Sequence, residues 1–219
     1  LLQQTQLNTY DPVIEKGNVR NLRPALYDLL AHRAIDYFES SENSITKPAE
    51  AFELDEAIAF APAIQFAAHT FKTKDTLSKE YQALLLYQEI LRFHSGDAKP
   101  DALIDADIQR ISFVNNHTTM QNKTELYRSA LEKIIAVHGN YPAASQASYL
   151  LAKDYADFAA TYDFTKHKSD DALNPRWYYK KALEFCSNII KQKENSEGKV
   201  NCSNLINQIQ QKQLSLNTE

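Results

Sequence analysis

The sequence predicts an all-α protein built from antiparallel helix pairs. Glycine accounts for only 4 of the 219 residues, which leaves few of the tight turns that an all-β protein needs. Apolar residues recur with the helical period of about 3.6 residues along most of the chain. The segments between these periodic stretches are short, and short connections place consecutive helices antiparallel.

Residues 1–75 are predicted to form an N-terminal helical segment with irregular loops. Residues 1–20 are polar and weakly patterned. Pro24 is expected in the first turn of a helix, where its missing N–H costs nothing, and this helix is predicted to end near Ser40. Pro48 and Pro62 interrupt any longer helix, so two short helices are predicted next, over residues 54–60 and 63–71.

Residues 76–219 are predicted to form three tetratricopeptide-like helix pairs packed as one continuous domain. The apolar stripe of the first helix includes Leu77, and a polar loop is expected over 115–122. Gly139 occupies a position typical of a helix C′ residue, and Pro100, Pro142 and Pro175 mark helix starts. The predicted helices cover residues 76–94, 100–113, 125–138, 141–162, 175–193 and 200–214.

Internal similarity predicts that these pairs form an irregular solenoid. The pattern Y-x-x-A-L-E occurs at Tyr127 and again at Tyr179, 52 residues later, and a second match relates Tyr87 to Leu131, 44 residues later. Both separations exceed the 34 residues of a regular tetratricopeptide unit. The segments HGNYP (138–142) and ASYLLAKDY (147–155) resemble an envelope-type tetratricopeptide pattern.

Small residues in the second of these segments allow neighbouring helices to approach closely. Ala147, Leu151, Tyr155 and Ala182 are therefore predicted to be buried, and Phe158 is expected to fill space behind the small residues.

The composition argues against several functional classes. The net charge is −4 and the pI about 5.9, with Lys and Glu interspersed, so nucleic acid is not a predicted partner. No stretch approaches the ~18 apolar residues of a membrane span. Nucleotide, hydrolase, zinc and redox motifs are missing from the sequence, so we predict no enzyme, no cofactor and no metal site.

The scattered His and Asp residues are explained by their positions at helix ends, without catalysis or metal binding. His94 and His138 lie near predicted helix C-termini, where the helix dipole favours a cation. Asp101, Asp105 and Asp107 cluster near a helix start, where carboxylates are stabilising without catalysis.

Trp177 is the candidate interaction anchor. It falls on the polar side of its predicted helix with Lys181, and Trp is a frequent anchor at protein interfaces. The alternative is that Trp177 packs against the loop of residues 163–174.

Cys186 and Cys202 form a candidate disulfide. They flank the predicted turn at 194–198 at similar heights of an antiparallel hairpin, and both lie on apolar helix faces. Helix axes usually pack about 8–10 Å apart, so a buried reduced pair is the alternative.

Three stretches resemble the N-terminal helical region of the large alpha-2-macroglobulin-like proteins of Bacteroides-type bacteria. They are RPALYDLLAHRA (23–34), KPA with FEL (47–49 and 52–54), and Cys186 followed by NCSNL (201–205) and LSLNTE (214–219). The resemblance implies a cell-envelope protein, periplasmic or anchored as an outer-membrane lipoprotein, that traps proteases or protects the envelope. The family's thioester motif C-x-E-Q is missing here, so covalent trapping is not implied for these residues.

The expected function is therefore a non-catalytic helical scaffold or protein-interaction module. Its partner is a separate protein or the macroglobulin domains that follow in the family. Residues 1–10 lack the features of a signal peptide, so any targeting signal is expected upstream. The alternative is an outer-membrane-associated helical protein that binds glycans or nutrients through a cluster of exposed aromatic side chains.

Overall fold

The computed structural model describes residues 1–15, 17, 20–40, 48–167, 174–192 and 194–211, and the regular elements of these residues are helices, without strands. The one extended pairing among them is an isolated antiparallel bridge between Gln6 and Ala25. The predicted all-α class is thus confirmed. The α-helices are α1 (Leu26–Glu39), α2 (Ala63–Ala68), α3 (Lys79–His94), α4 (Asp101–His117), α5 (Lys123–His138), α6 (Ser145–Ala159), α7 (Tyr178–Ile190) and α8 (Glu197–Gln210).

The chain divides into two compact units, Leu1–Ile134 and Ile135–Glu219. This division lies at a different place from the boundary predicted between residues 75 and 76. The predicted domain organisation stays a prediction. We describe each unit by itself.

In the first unit, α3 is the central helix and packs against α1, α2 and α4. The buried residues of α3 lie on one wide apolar stripe with helical spacing: Ala83, Leu84, Tyr87, Ile90 and Leu91.

The predicted start of this helix at residue 76 is wrong. Ser78 is the N-cap, with its side chain accepting a hydrogen bond from the Tyr81 N–H. Leu77 precedes this cap and is 88% exposed, so it does not belong to the apolar stripe.

Long polar side chains hold the irregular segment between α1 and α3. Gln88 donates to the carbonyls of Phe66 and His69, and Arg92 donates to the carbonyl of Ala67. These bonds satisfy carbonyls that regular secondary structure leaves unpaired. The two short helices predicted here are present but shorter: a 3-10 helix spans Ala57–Phe60 and α2 ends at Ala68.

Several predicted helix ends need correction. Pro24 lies before the N-cap Ala25, whose N–H donates to Asp28 Oδ2, so Pro24 is outside the first turn. Helix α4 continues to His117 and so includes the first residues of the predicted polar loop. Gly139 follows α5 but does not have the positive φ that a C′ glycine usually adopts.

In the second unit, α6, α7 and α8 pack against one another. The predicted burial of Ala147, Leu151, Tyr155 and Ala182 is confirmed. Phe158 departs from its prediction because it lies on the outer side of α6 and is 38% exposed. Short 3-10 turns, Pro142–Ala144 and Pro175–Trp177, precede α6 and α7, since Pro fits the first positions of a helical turn.

Helix α8 begins in direct contact with the start of α6. The hydroxyls of Ser145 and Ser196 are 2.7 Å apart, and Ser196 caps α8 by accepting from the Lys199 N–H. A Cβ atom built on Gly198 would overlap the Ser145 backbone, so glycine permits this approach.

Candidate functional site

A group of aromatic rings lies in the second unit, near the end of α6 and the start of α7. Tyr178 packs edge-on against Phe158, with ring centroids 4.8 Å apart, and its ring centroid is 5.7 Å from that of Tyr155. Aromatic pairs at these separations stabilise each other by about 0.5–1.5 kcal/mol beyond the area they bury. Tyr162 and Phe164 follow α6, and Trp177 immediately precedes α7. We call these rings together with the first group the aromatic surface: Tyr155, Phe158, Tyr162, Phe164, Trp177 and Tyr178.

Two cations stack on these rings. The Arg176 guanidinium lies 4.5 Å from the Trp177 ring and 5.6 Å from the Tyr162 ring. The Lys181 ammonium lies 5.0 Å from the Tyr178 ring and 5.3 Å from the Tyr155 ring. All four distances are within the range of a cation–π attraction, so each cation links two rings of the surface.

Three rings of the aromatic surface face solvent to a large extent. Phe164 is 81% exposed, Trp177 is 51% exposed and Phe158 is partly exposed. Phe158 contacts Tyr178, Trp177 shares Arg176 with Tyr162, and Phe164 follows Tyr162 by two residues. Single exposed apolar residues are ordinary, but several exposed rings in one part of a fold are typical of interaction sites.

Hydrogen bonds around Asp163 shape the turn that presents Phe164. Asp163 Oδ1 accepts from the backbone N–H and the hydroxyl of Thr165, at 2.9 and 2.6 Å. These hydrogen bonds, assisted by Lys166, lower the pKa of Asp163 to about 2. The carboxylate is therefore ionised at neutral pH, and its bonds hold residues 163–165 in the turn.

The structure places Trp177 at the end of the Pro175–Trp177 turn, immediately before α7. Its role as an interaction anchor stays a prediction. The alternative packing against the loop 163–174 falls in part on residues 168–173, which lie outside the described residues.

Sequence reasoning missed the rings that accompany Trp177. The sequence predicts that Phe158 fills space behind the small residues, and Phe164 falls in the expected loop of residues 163–174. The available signal was the density of aromatic residues on both sides of the 163–174 loop.

Cys186 and Cys202 are both fully buried and are free thiols in the structure. The two thiols are hydrogen-bonded to each other. This bond lowers the pKa of Cys186 and raises that of Cys202, to which burial adds. The two side chains therefore lie next to each other in the fold. The disulfide itself stays a prediction.

A second polar cluster lies in the first unit, around His94. Its Nε2 is 2.9 Å from Asp28 Oδ1 and its Nδ1 is 2.7 Å from Asp97 Oδ2. Burial opposes protonation of His94, but the two carboxylates outweigh it and raise its pKa. Burial and the charge of Arg23 lower the pKa of neighbouring His32 to about 4. His94 therefore joins α1 to the end of α3, and its two carboxylate partners favour its protonated form, whereas burial favours the neutral form of His32.

The acidic group at the start of α4 also serves packing. Asp107 pairs with the fully buried Arg110, whose Nε lies 3.0 Å from Asp107 Oδ1. The guanidinium also donates to the carbonyls of Ala59 and Ala61 and lies 4.5 Å from the Phe66 ring. These contacts fasten the irregular segment to α4.

The first unit also contains a small pocket of about 280 Å³ between α2, α3 and α4. Arg92 at its wall donates to the Ala67 carbonyl, so the pocket offers mainly apolar surface.

Within the described part of the chain, no helix is both long enough and apolar enough to cross a membrane. The same residues contain no group of three or more His, Cys, Asp or Glu side chains arranged to hold a metal ion. Comparisons with protein families, curated proteins and solved structures give no match. The resemblance to alpha-2-macroglobulin-like proteins therefore rests on the quoted sequence stretches alone.

Proposed function

We propose that this chain is a non-catalytic helical interaction module that binds a protein partner through the aromatic surface of its second unit. The observation that carries the proposal is the half-exposed Trp177, stacked on Arg176 and accompanied by the exposed rings of Phe164 and Phe158. Trp, Tyr and Arg are the residues most enriched at the energetic centres of protein interfaces.

The titratable clusters support a non-catalytic role. Asp28, His94 and Asp97 form one buried or half-buried set, and Asp107 and Arg110 form another. Each set joins helices or fastens the irregular segment, so its hydrogen-bonding capacity is used within the fold.

The mutual packing of α6, α7 and α8 supports a tetratricopeptide-like arrangement for this unit. The buried alanines Ala147, Ala152, Ala156 and Ala182 allow close helix contacts of the kind that stacked repeats use. On this proposal the irregular solenoid continues through the predicted pairs of residues 76–219.

The broader proposal is that the chain is the N-terminal helical region of a cell-envelope alpha-2-macroglobulin-like protein. The quoted sequence stretches support it. The gene sequence downstream of residue 219 tests it, because macroglobulin β-sandwich domains are expected to follow. A gene that continues with an unrelated domain would contradict it.

An array that carries both peptides and glycans tests the interaction proposal. The wild-type chain is expected to bind a subset of peptide spots, and Trp177→Ala is expected to lose them. Tyr141→Ala is the matched control, because Tyr141 is a partly exposed aromatic residue outside the aromatic surface.

Binding to glycan spots alone would favour the alternative of a glycan-binding protein. The exposed rings are also compatible with this alternative, since sugar rings stack on aromatic side chains. Peptide binding that persists in Trp177→Ala would refute the proposed surface.

A further inference from the structure

We propose that the partner segment recognised by the aromatic surface is an acidic peptide that carries an apolar or aromatic side chain. This inference rests on the proposed function and adds the chemistry of the ligand.

The charge next to Trp177 is the first argument. Lys180 and Lys181 follow Trp177 by three and four positions, so they lie beside it on the same side of α7. Both lysines are exposed. Residues 174–181 contain three cations and no acidic residue, whereas the whole chain has a net charge of −4. Near the end of α6 and at the start of the loop that follows it, the Asp157 and Asp163 carboxylates are paired with Lys153 and Lys166. The stretch from Arg176 to Lys181 therefore has the opposite sign to the whole chain, and this stretch favours a negatively charged partner.

The exposed rings are the second argument. Phe164 and Trp177 leave large apolar faces in water, and covering them with an apolar side chain is favourable at about 25 cal/mol per Å². A ligand that combines carboxylates with an apolar side chain meets both the lysines and the rings. An acidic peptide segment has this combination.

Other anions and other ring-stacking ligands fit less well. A neutral glycan stacks on aromatic rings but offers no charge to Lys180 and Lys181. A nucleic acid offers both bases and phosphates, but the three cations of residues 174–181 are too few to follow a long phosphate backbone, whereas a short acidic segment needs only a few.

The single tryptophan provides a direct assay, because its emission reports on the aromatic surface alone. We expect a poly(Glu,Tyr) copolymer to change the Trp177 emission with a saturable dependence on concentration, with excitation at wavelengths that tyrosine does not absorb. Poly(Lys,Tyr) is expected to have no effect. Raising the salt from about 0.01 M to about 1 M shortens the Debye length from about 30 Å to about 3 Å and should weaken binding strongly.

Variants of the lysines test the charge argument while keeping the reporter. Lys180→Ala/Lys181→Ala is expected to weaken poly(Glu,Tyr) binding about tenfold at low salt. Lys181 also stacks on two rings, so Lys180→Glu is the second variant, which changes charge at an exposed side chain. Lys191→Ala is the matched control, because Lys191 is an exposed lysine at the other end of α7.

Polygalacturonate and oligothymidylate are the competing probes. Binding of either one without binding of poly(Glu,Tyr) would overturn the inference. Equal poly(Glu,Tyr) affinity in the wild type and in both lysine variants would also overturn it. If no probe binds but the array yields peptides that need Trp177, the acidic-ligand inference falls and the proposed function stands. If the array also yields nothing, both fall.

Discussion

Replacing Gly198 with Ala should destabilise the second unit, although alanine is the better helix former. The added Cβ would lie 2.5 Å from the Ser145 carbonyl oxygen and would overlap further atoms of that backbone. Real Cβ atoms essentially never approach closer than 3.0 Å, so α6 or α8 must retreat by at least 0.5 Å. Overpacking costs about 1–3 kcal/mol, and a clash with backbone, which cannot rotate away, places the cost at about 3 kcal/mol. Alanine regains at most about 1 kcal/mol of helix propensity, which leaves a net loss of about 2 kcal/mol.

Urea unfolding followed by Trp177 emission measures this loss, because Trp177 lies in the second unit. A loss of about 2 kcal/mol lowers the midpoint by about 1 M urea. Gly96→Ala is the matched control, since a Cβ there meets no atom within 4 Å. It should leave the Trp177 transition unchanged and should not lower the midpoint seen by far-UV circular dichroism. A Gly198→Ala midpoint at or above that of the wild type would refute the close contact between α8 and α6.

Three further predictions concern the core and the buried polar groups. Leu151→Ala should cost about 2–5 kcal/mol in the same assay because Leu151 is fully buried, and an unchanged midpoint would contradict its packing. Because the folded pKa of His94 is raised above its ordinary 6.5, its contribution to stability is complete below pH 6.5 and is lost as pH rises through the folded pKa. The stability difference between wild type and His94→Gln should therefore shrink with rising pH, and a difference that grows would reverse the assigned shift. Thiol titration of the denatured, unreduced protein should find two free thiols at Cys186 and Cys202 if the protein keeps the state in the structure, whereas none would show that the predicted disulfide forms.

The longer helices were predictable because each has one apolar stripe with helical spacing. Their ends were less predictable, since capping contacts decide them. Pro24 fits the first turn of a helix by its own chemistry, but the Asp28 carboxylate instead caps the N–H of Ala25. Leu77 fits the apolar pattern of α3 but lies before the Ser78 cap.

Contacts between distant residues could not be read from spacing. The buried Arg110 and His94 side chains depend on carbonyls and carboxylates far away in sequence, such as Ala59 and Asp28. The aromatic surface was only partly predictable for the same reason. Trp177 was identifiable from its position on the polar face of its predicted helix. Tyr162, however, precedes the 163–174 loop, and Arg176 contacts the Tyr162 ring only in the folded unit.

Acrylamide quenching of Trp177 emission, with and without a peptide taken from the array, tests the proposed interaction surface most directly. The half-exposed indole should be readily quenched in the free protein. A bound peptide that covers the aromatic surface should protect it, and Lys191→Ala should show the same protection. Equal quenching in the free and the peptide-saturated protein would show that the ligand binds elsewhere and would contradict the proposed surface.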